Sequence, residues 1–105
     1  MDKKAKDVII LELKDLSIIA DYFLICSGES TTQVKAIADA IGEKFSKRGM
    51  RPLGIEGLNN SRWVLIDYGD VIIHVFEEET RDYYQLEKLW LDAPRIPVEE
   101  KGHNR

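Results

Sequence analysis

Two stretches near the start of the chain, Val8-Ile9-Ile10-Leu11-Glu12-Leu13 and Tyr22-Phe23-Leu24-Ile25-Cys26, are almost unbroken in apolar side chains. Both are short and rich in β-branched or aromatic residues, which suit a pleated strand. A strand with one face in water alternates apolar and polar residues. These two do not alternate, so the sheet they build has to be covered on both faces. The first strand is read over residues 7–13 and the second over 21–26, where Ser27-Gly28 ends it.

The cover is visible next. Val34, Ile37, Ala38, Ile41 and Phe45 recur at helical spacing, while Lys35, Asp39, Glu43 and Lys44 fall elsewhere on the wheel. Ser30-Thr31-Thr32-Gln33 has the form of a capping box, in which the serine oxygen takes the Gln33 amide and Gln33 reaches back. Lys47 and Arg48 suit the negative end of the dipole, and Gly49 supplies a left-handed stop. A helix is predicted over 31–48.

Downstream, Arg51 to Gly57 is a short extended piece and Leu58 to Ser61 a loop. Residues 62–67 and 71–76 read as strands joined through Tyr68-Gly69, a tight hairpin. Val71, Ile73 and Val75 share one face; Ile72, His74 and Phe76 share the other. Glu77-Glu78-Glu79-Thr80 opens a last helix with Thr80 as its candidate cap. Tyr83, Leu86, Leu89 and Trp90 repeat at helical spacing, and Asp92-Ala93-Pro94 stops the run. Tyr83 is expected inward and Tyr84 outward. The organisation is one domain over 1–92 and a flexible tail over 93–105. The order of elements indicates an α/β layer fold with a mixed β-sheet and flanking helices.

A chain of 105 residues makes one core, and its formal charge of −4 speaks against a broad basic surface for nucleic acid. The single cysteine, Cys26, fits a reducing compartment. The apolar run Val8–Leu13 is too short for a membrane span or a signal core. The expected location is cytoplasmic, with no membrane partner.

Few residues suggest chemistry. His74 lies mid-strand and reads as a hydrogen-bonded structural histidine; with Cys26 alone and His103 on the tail, no zinc set forms. Asp67 and Asp70 could be a metal-binding carboxylate pair, but their spacing is that of turn residues. Gly28-Glu29-Ser30 before a helix lacks the lysine of a phosphate loop. Cys26 reads as a buried thiol rather than a nucleophile. No catalytic residue, metal or cofactor is expected. Trp63, Tyr83, Tyr84 and Trp90 cluster at the hairpin and last helix, with Lys88 four residues after Tyr84. Trp and Tyr can be core, but they also anchor protein interfaces.

Residues 20–28, 33–39, Gly57, the hairpin from Trp63 to Phe76 and Tyr84-Gln85-Leu86-Glu87-Lys88-Leu89-Trp90 together resemble the ribosomal silencing factor family, also called Iojap. The resemblance spans about residues 3–94. It implies a nucleotidyltransferase-like fold without the catalytic motif. It implies binding to the universal large-subunit ribosomal protein fourteen, which sterically blocks joining of the two ribosomal subunits and represses translation. Organellar relatives of the family act in large-subunit assembly, and members are often dimeric when free. The family's helix before the first strand is largely missing here, since only Met1 to Lys6 precede it.

The expected partner-binding residues are Trp63, Asp70, His74, Glu78, Glu79, Tyr84, Leu86, Lys88 and Trp90. The aromatics would anchor, and Lys88 with the acids would orient and steer. Two other readings stand beside this one: a large-subunit biogenesis factor, and a nucleotide-binding or nucleotidyl-transferring enzyme using Asp67, Asp70 and Ser30. Sequence-specific binding to nucleic acid is not expected; a free homodimer is.

Overall fold

The structure, a computed structural model, describes residues 5–98. Strand β1 (Lys6–Glu12) is followed by β2 (Tyr22–Gly28), helix α1 (Thr31–Lys47) and the short β3 (Gly54–Glu56). The hairpin of β4 (Trp63–Asp67) and β5 (Val71–Glu77) leads into α2 (Glu78–Tyr84), a 3₁₀ turn over Leu86–Trp90 and β6 (Arg95–Ile96). The strands form one mixed sheet in the order β3-β4-β5-β2-β1-β6. Only β2 and β5 run parallel; every other neighbour is antiparallel.

The β2–β5 pair holds the centre, with Tyr22 opposite Val71 and Gly28 opposite Glu77. Its interior residues are buried on both sides, which explains the unbroken apolar runs. On one face, Val34, Ile37, Ala38 and Ile41 of α1 pack on Cys26, Val64, Ile66, Ile73 and Val75. On the other, Leu11, Phe23, Ile25, Ile72 and Phe76 form a second cluster, closed by Trp63, Leu65, Leu86 and Trp90.

α1 begins and ends as its sequence predicts. Ser30 Oγ accepts the Gln33 amide at 3.2 Å, and Gln33 Oε1 accepts the Glu29 amide at 2.7 Å. At the other end the Met50 amide reaches the Phe45 carbonyl and the Gly49 amide the Ser46 carbonyl, both at 2.9 Å, with Gly49 at φ 80°. Those two bonds are a Schellman closure.

Three expectations need correction. The last helix is not continuous: Gln85 adopts φ 48°, ψ 51°, and the chain resumes as a 3₁₀ turn. Thr80 is not its cap; Glu77 holds that position, and the Thr80 hydroxyl donates to the Glu77 carboxylate at 3.1 Å. The stretch from residue 93 does not leave the domain at once. Ala93 is buried, and Arg95–Ile96 pair with β1, because β1 would otherwise expose an unpaired edge. Residues 99–105 of the expected tail lie outside the described residues.

Two glycines respond oppositely to a methyl group. Gly57 has φ 91°, and a Cβ there would sit 2.0 Å from the Trp63 carbonyl oxygen, whereas at Gly42 in α1 it would meet nothing within 4 Å. Urea unfolding should show Gly57→Ala destabilised by about 2 kcal/mol or more. Gly42→Ala should gain roughly 0.5–1 kcal/mol.

Candidate functional site: an aromatic path from core to surface

The hairpin and the α2 corner bring most of the sequence-predicted residues together. Rings form a continuous path across the second face of the sheet. Trp90 meets Phe23 at 6.1 Å, Phe23 meets His74 edge-on at 4.6 Å, and Trp63 stacks on Phe76 at 4.7 Å. Trp63 then meets Tyr84 at 5.0 Å, and Tyr84 meets Tyr83 at 5.0 Å. The path starts in the core and ends in water: Tyr84 is 54% exposed and Tyr83 is 81% exposed. The expectation that Tyr83 points inward is therefore wrong. With the helix ending at Tyr84, the spacing from Tyr83 to Leu86 no longer defines one face.

His74 is 3% exposed, so it supports this surface from beneath. Trp63 Nε1 donates to His74 Nδ1 at 3.1 Å. Nδ1 is thus unprotonated and the ring proton lies on Nε2, which is buried without a partner. Burial in this apolar bed pushes the His74 pKa down from 6.5 to about 4.

Of the other predicted residues, Leu86 and Trp90 are half-buried against the second core, and Lys88, Glu78 and Glu79 are exposed at the corner. Glu78 lies 3.6 Å from Lys6, which also bonds Glu29. Asp70 is elsewhere. It lies at the hairpin turn, at the opposite end of the seven-residue β5 from α2, roughly 20 Å away. Its carbonyl accepts the Asp21 and Tyr22 amides at 2.8 and 3.0 Å. Leu89 and Leu91, which the sequence did not single out as contacts, are about three-quarters exposed in and just after the 3₁₀ turn.

Arg81 was also missed. It is the one buried residue of α2, and its guanidinium makes three hydrogen bonds. Nη1 donates to the Asp7 carbonyl at 2.8 Å and to Ser27 Oγ at 2.7 Å, and Nε donates to Glu87 at 3.0 Å. A signal was present: Glu78-Glu79-Thr80-Arg81-Asp82 offers no apolar residue to bury, so α2 had to be held by something polar.

The residues that hinted at chemistry are occupied locally. Asp67 Oδ1 accepts the Gly69 amide at 2.8 Å, closing the hairpin turn. Ser30 caps α1. Cys26 is buried, and loss of hydration pushes its thiol up to about 12, where no reactive thiolate forms at neutral pH. Among the described residues no group of three His, Cys, Asp or Glu could hold a metal ion, and no helix is long and apolar enough to cross a membrane.

The Trp63–His74 pair predicts a pH dependence. Between pH 6.5 and about 4 the unfolded chain binds a proton at His74 that the folded chain refuses. The unfolded state then holds more protons, so stability falls as pH falls through that window, by about 3 kcal/mol at its full extent. Urea midpoints at pH 7 and pH 4.5 check this. The wild-type protein should lose more stability between them than His74→Asn does, the carboxylates being common to both.

The whole chain, residues 1–105, matches the family model described as ribosomal silencing factor during starvation. It is 50% identical over 93 residues to the ribosomal silencing factor of Bacillus subtilis, a match covering 89% of this chain and 79% of that one. A crystal structure from Bacillus halodurans superposes with a TM-score of 0.81 at 45% identity, over 92% of this chain and 88% of the other. More distantly, the chain is 32% identical to mouse mitochondrial assembly of ribosomal large subunit protein 1, over 84% of this chain and 40% of the mouse protein. The overall fold is thus shared with a solved relative, and the chain belongs to the ribosomal silencing factor family.

Proposed function

We propose that this protein binds the large ribosomal subunit through its universal ribosomal protein fourteen and, by occupying that surface, blocks joining of the small subunit. It acts in the cytoplasm as a regulator of translation and catalyses no reaction. The observation that carries the reading is the exposed end of the aromatic path: Tyr83 and Tyr84 stand in water on a base fixed by Trp63 and His74. Rigid tyrosines lose little side-chain freedom on binding and present large apolar area, which is the usual make-up of an interface anchor. Glu78, Glu79 and Asp82 border it with negative charge. An acidic border steers the corner towards a basic partner and away from bare RNA.

Trp63 and Trp90 contribute mainly as the bed of the surface, Tyr84 as its anchor, and Lys88 as a charged rim. His74 acts through Trp63. Asp70, at the far end of β5, takes no part in this face. The local roles of Ser30, Asp67 and Cys26 support a binder over a nucleotidyl-transferring enzyme. The name of the mouse relative favours a second reading, in which the same face serves large-subunit assembly; the two differ in which particle is bound.

Sucrose-gradient sedimentation separates the outcomes. The protein should travel with mature large subunits and be absent from joined ribosomes, and adding it should inhibit joining. Tyr84→Ala, an exposed change that leaves the fold intact, should weaken binding about 30-fold, the equivalent of roughly 2 kcal/mol. Sedimentation with joined ribosomes would contradict the reading. Sedimentation only with immature large particles would select the assembly role.

A further inference from the structure

We infer that Arg81 is the positioning residue of the binding corner: a buried guanidinium that sets where Tyr84, Lys88 and Trp90 stand relative to the sheet. The inference rests on the reading of that corner as the partner-binding face.

Four irregular features of the chain converge on Arg81, three on its guanidinium and one on its main-chain carbonyl. In β1, Asp7 has φ 50° beside a register shift between Lys6 and Ile9, and its carbonyl accepts from Arg81 Nη1. In β2, Ser27 is a hydroxyl buried to 1% exposure at the end of an apolar run, and its Oγ accepts from the same nitrogen. After α2, Gln85 is left-handed, and its amide closes on the Arg81 carbonyl at 2.8 Å. In the 3₁₀ turn, the Glu87 carboxylate accepts from Arg81 Nε. Each is unfavourable or idle alone. A positive φ at a residue other than glycine is strained, and a buried hydroxyl or carboxylate needs a partner. The Asp7 carbonyl, Ser27 Oγ and one oxygen of Glu87 all accept from this one cation, while Glu87 Oε1 is buried without a partner.

The geometry also explains why the anchor is polar. α2 has seven residues and buries only Arg81. A helix of two turns whose one apolar contact with the sheet is the half-exposed Tyr84 on Trp63 is weakly held by hydrophobic packing. The side chains that present the binding face lie on both sides of Arg81: Glu78 and Glu79 before it, Tyr84 and Lys88 after it. A buried arginine with a fork of partners on β1, β2 and the following turn fixes rotation as well as position, which a lysine's single ammonium does not.

The test is a double-mutant cycle with a structural readout. Arg81→Gln and Tyr84→Ala are made singly and together, and dissociation from purified large subunits is timed well below each melting temperature. Arg81→Gln should dissociate at least tenfold faster. Tyr84→Ala should matter less in the Arg81→Gln background than in wild type, because the tyrosine no longer stands in register. Arg81→Lys should recover only part of the loss. By hydrogen exchange, amides of residues 78–90 should lose protection while those of β2 and β5 keep it. A folded Arg81→Gln variant with unchanged dissociation, or a fully additive cycle, overturns the inference and leaves the proposed function standing. Failure of the wild-type protein to bind large subunits overturns the proposed function, while hydrogen exchange still reports whether Arg81 holds the corner. If Arg81→Gln does not fold, Ser27→Ala and Glu87→Gln each remove one partner. They should show the same pattern at smaller size, and unchanged dissociation in both overturns the inference.

Discussion

The parallel pairing of β2 with β5 is the constraint on which everything else depends. Parallel strands bury both faces, so this ladder needs cover above and below it. The α1 helix supplies one cover, mainly from aliphatic side chains with Phe45 at its end. Among the described residues the other face receives no comparable helix. It is closed by the half-buried Trp63, Leu65, Leu86 and Trp90 lying over Phe23 and Phe76. The aromatic residues on this face therefore serve as core before they serve as surface, and the proposed binding corner is the exposed edge of a layer that the sheet requires anyway.

This dual role accounts for the chemistry of His74. A histidine under an indole, with one nitrogen accepting from Trp63 and the other partnerless, is poor as an acid, base or ligand at neutral pH. It is well suited to fixing the tilt of the indole on which Tyr84 rests. Arg81 does the corresponding work for the backbone of the corner. One group sets the bed and the other sets the frame; both are hidden, and neither needs to touch a partner.

Much of this was legible in the residues. The unbroken apolar runs announced strands covered on both faces. Ser30, Gln33 and Gly49 bounded α1 almost to the residue, because capping is a local interaction between near neighbours. The corner was less legible. Tyr83, Leu86, Leu89 and Trp90 mimic a helical stripe, yet a single left-handed residue, Gln85, turns the chain and exposes Tyr83 and Leu89. Nothing in the side-chain pattern marks that turn, and the burial of Arg81 beside it depends on Asp7 and Ser27, far away in sequence. β6 escaped notice for a similar reason: a two-residue strand between prolines has no periodicity, and its partner β1 creates it. The family match covers the whole chain, but it is the geometry that sorts the corner residues into buried bed, buried frame and exposed side chains.

The central claim is that the outer end of the aromatic path meets a protein of the large ribosomal subunit. Photo-cross-linking tests it most directly. A benzophenone side chain at position 83, which is 81% exposed, should capture a large-subunit ribosomal protein when mixed with purified large subunits. The same group at position 18, exposed in the loop at the opposite end of the sheet, should not. Capture from position 18 with none from position 83, or capture of ribosomal RNA alone from position 83, would contradict the account.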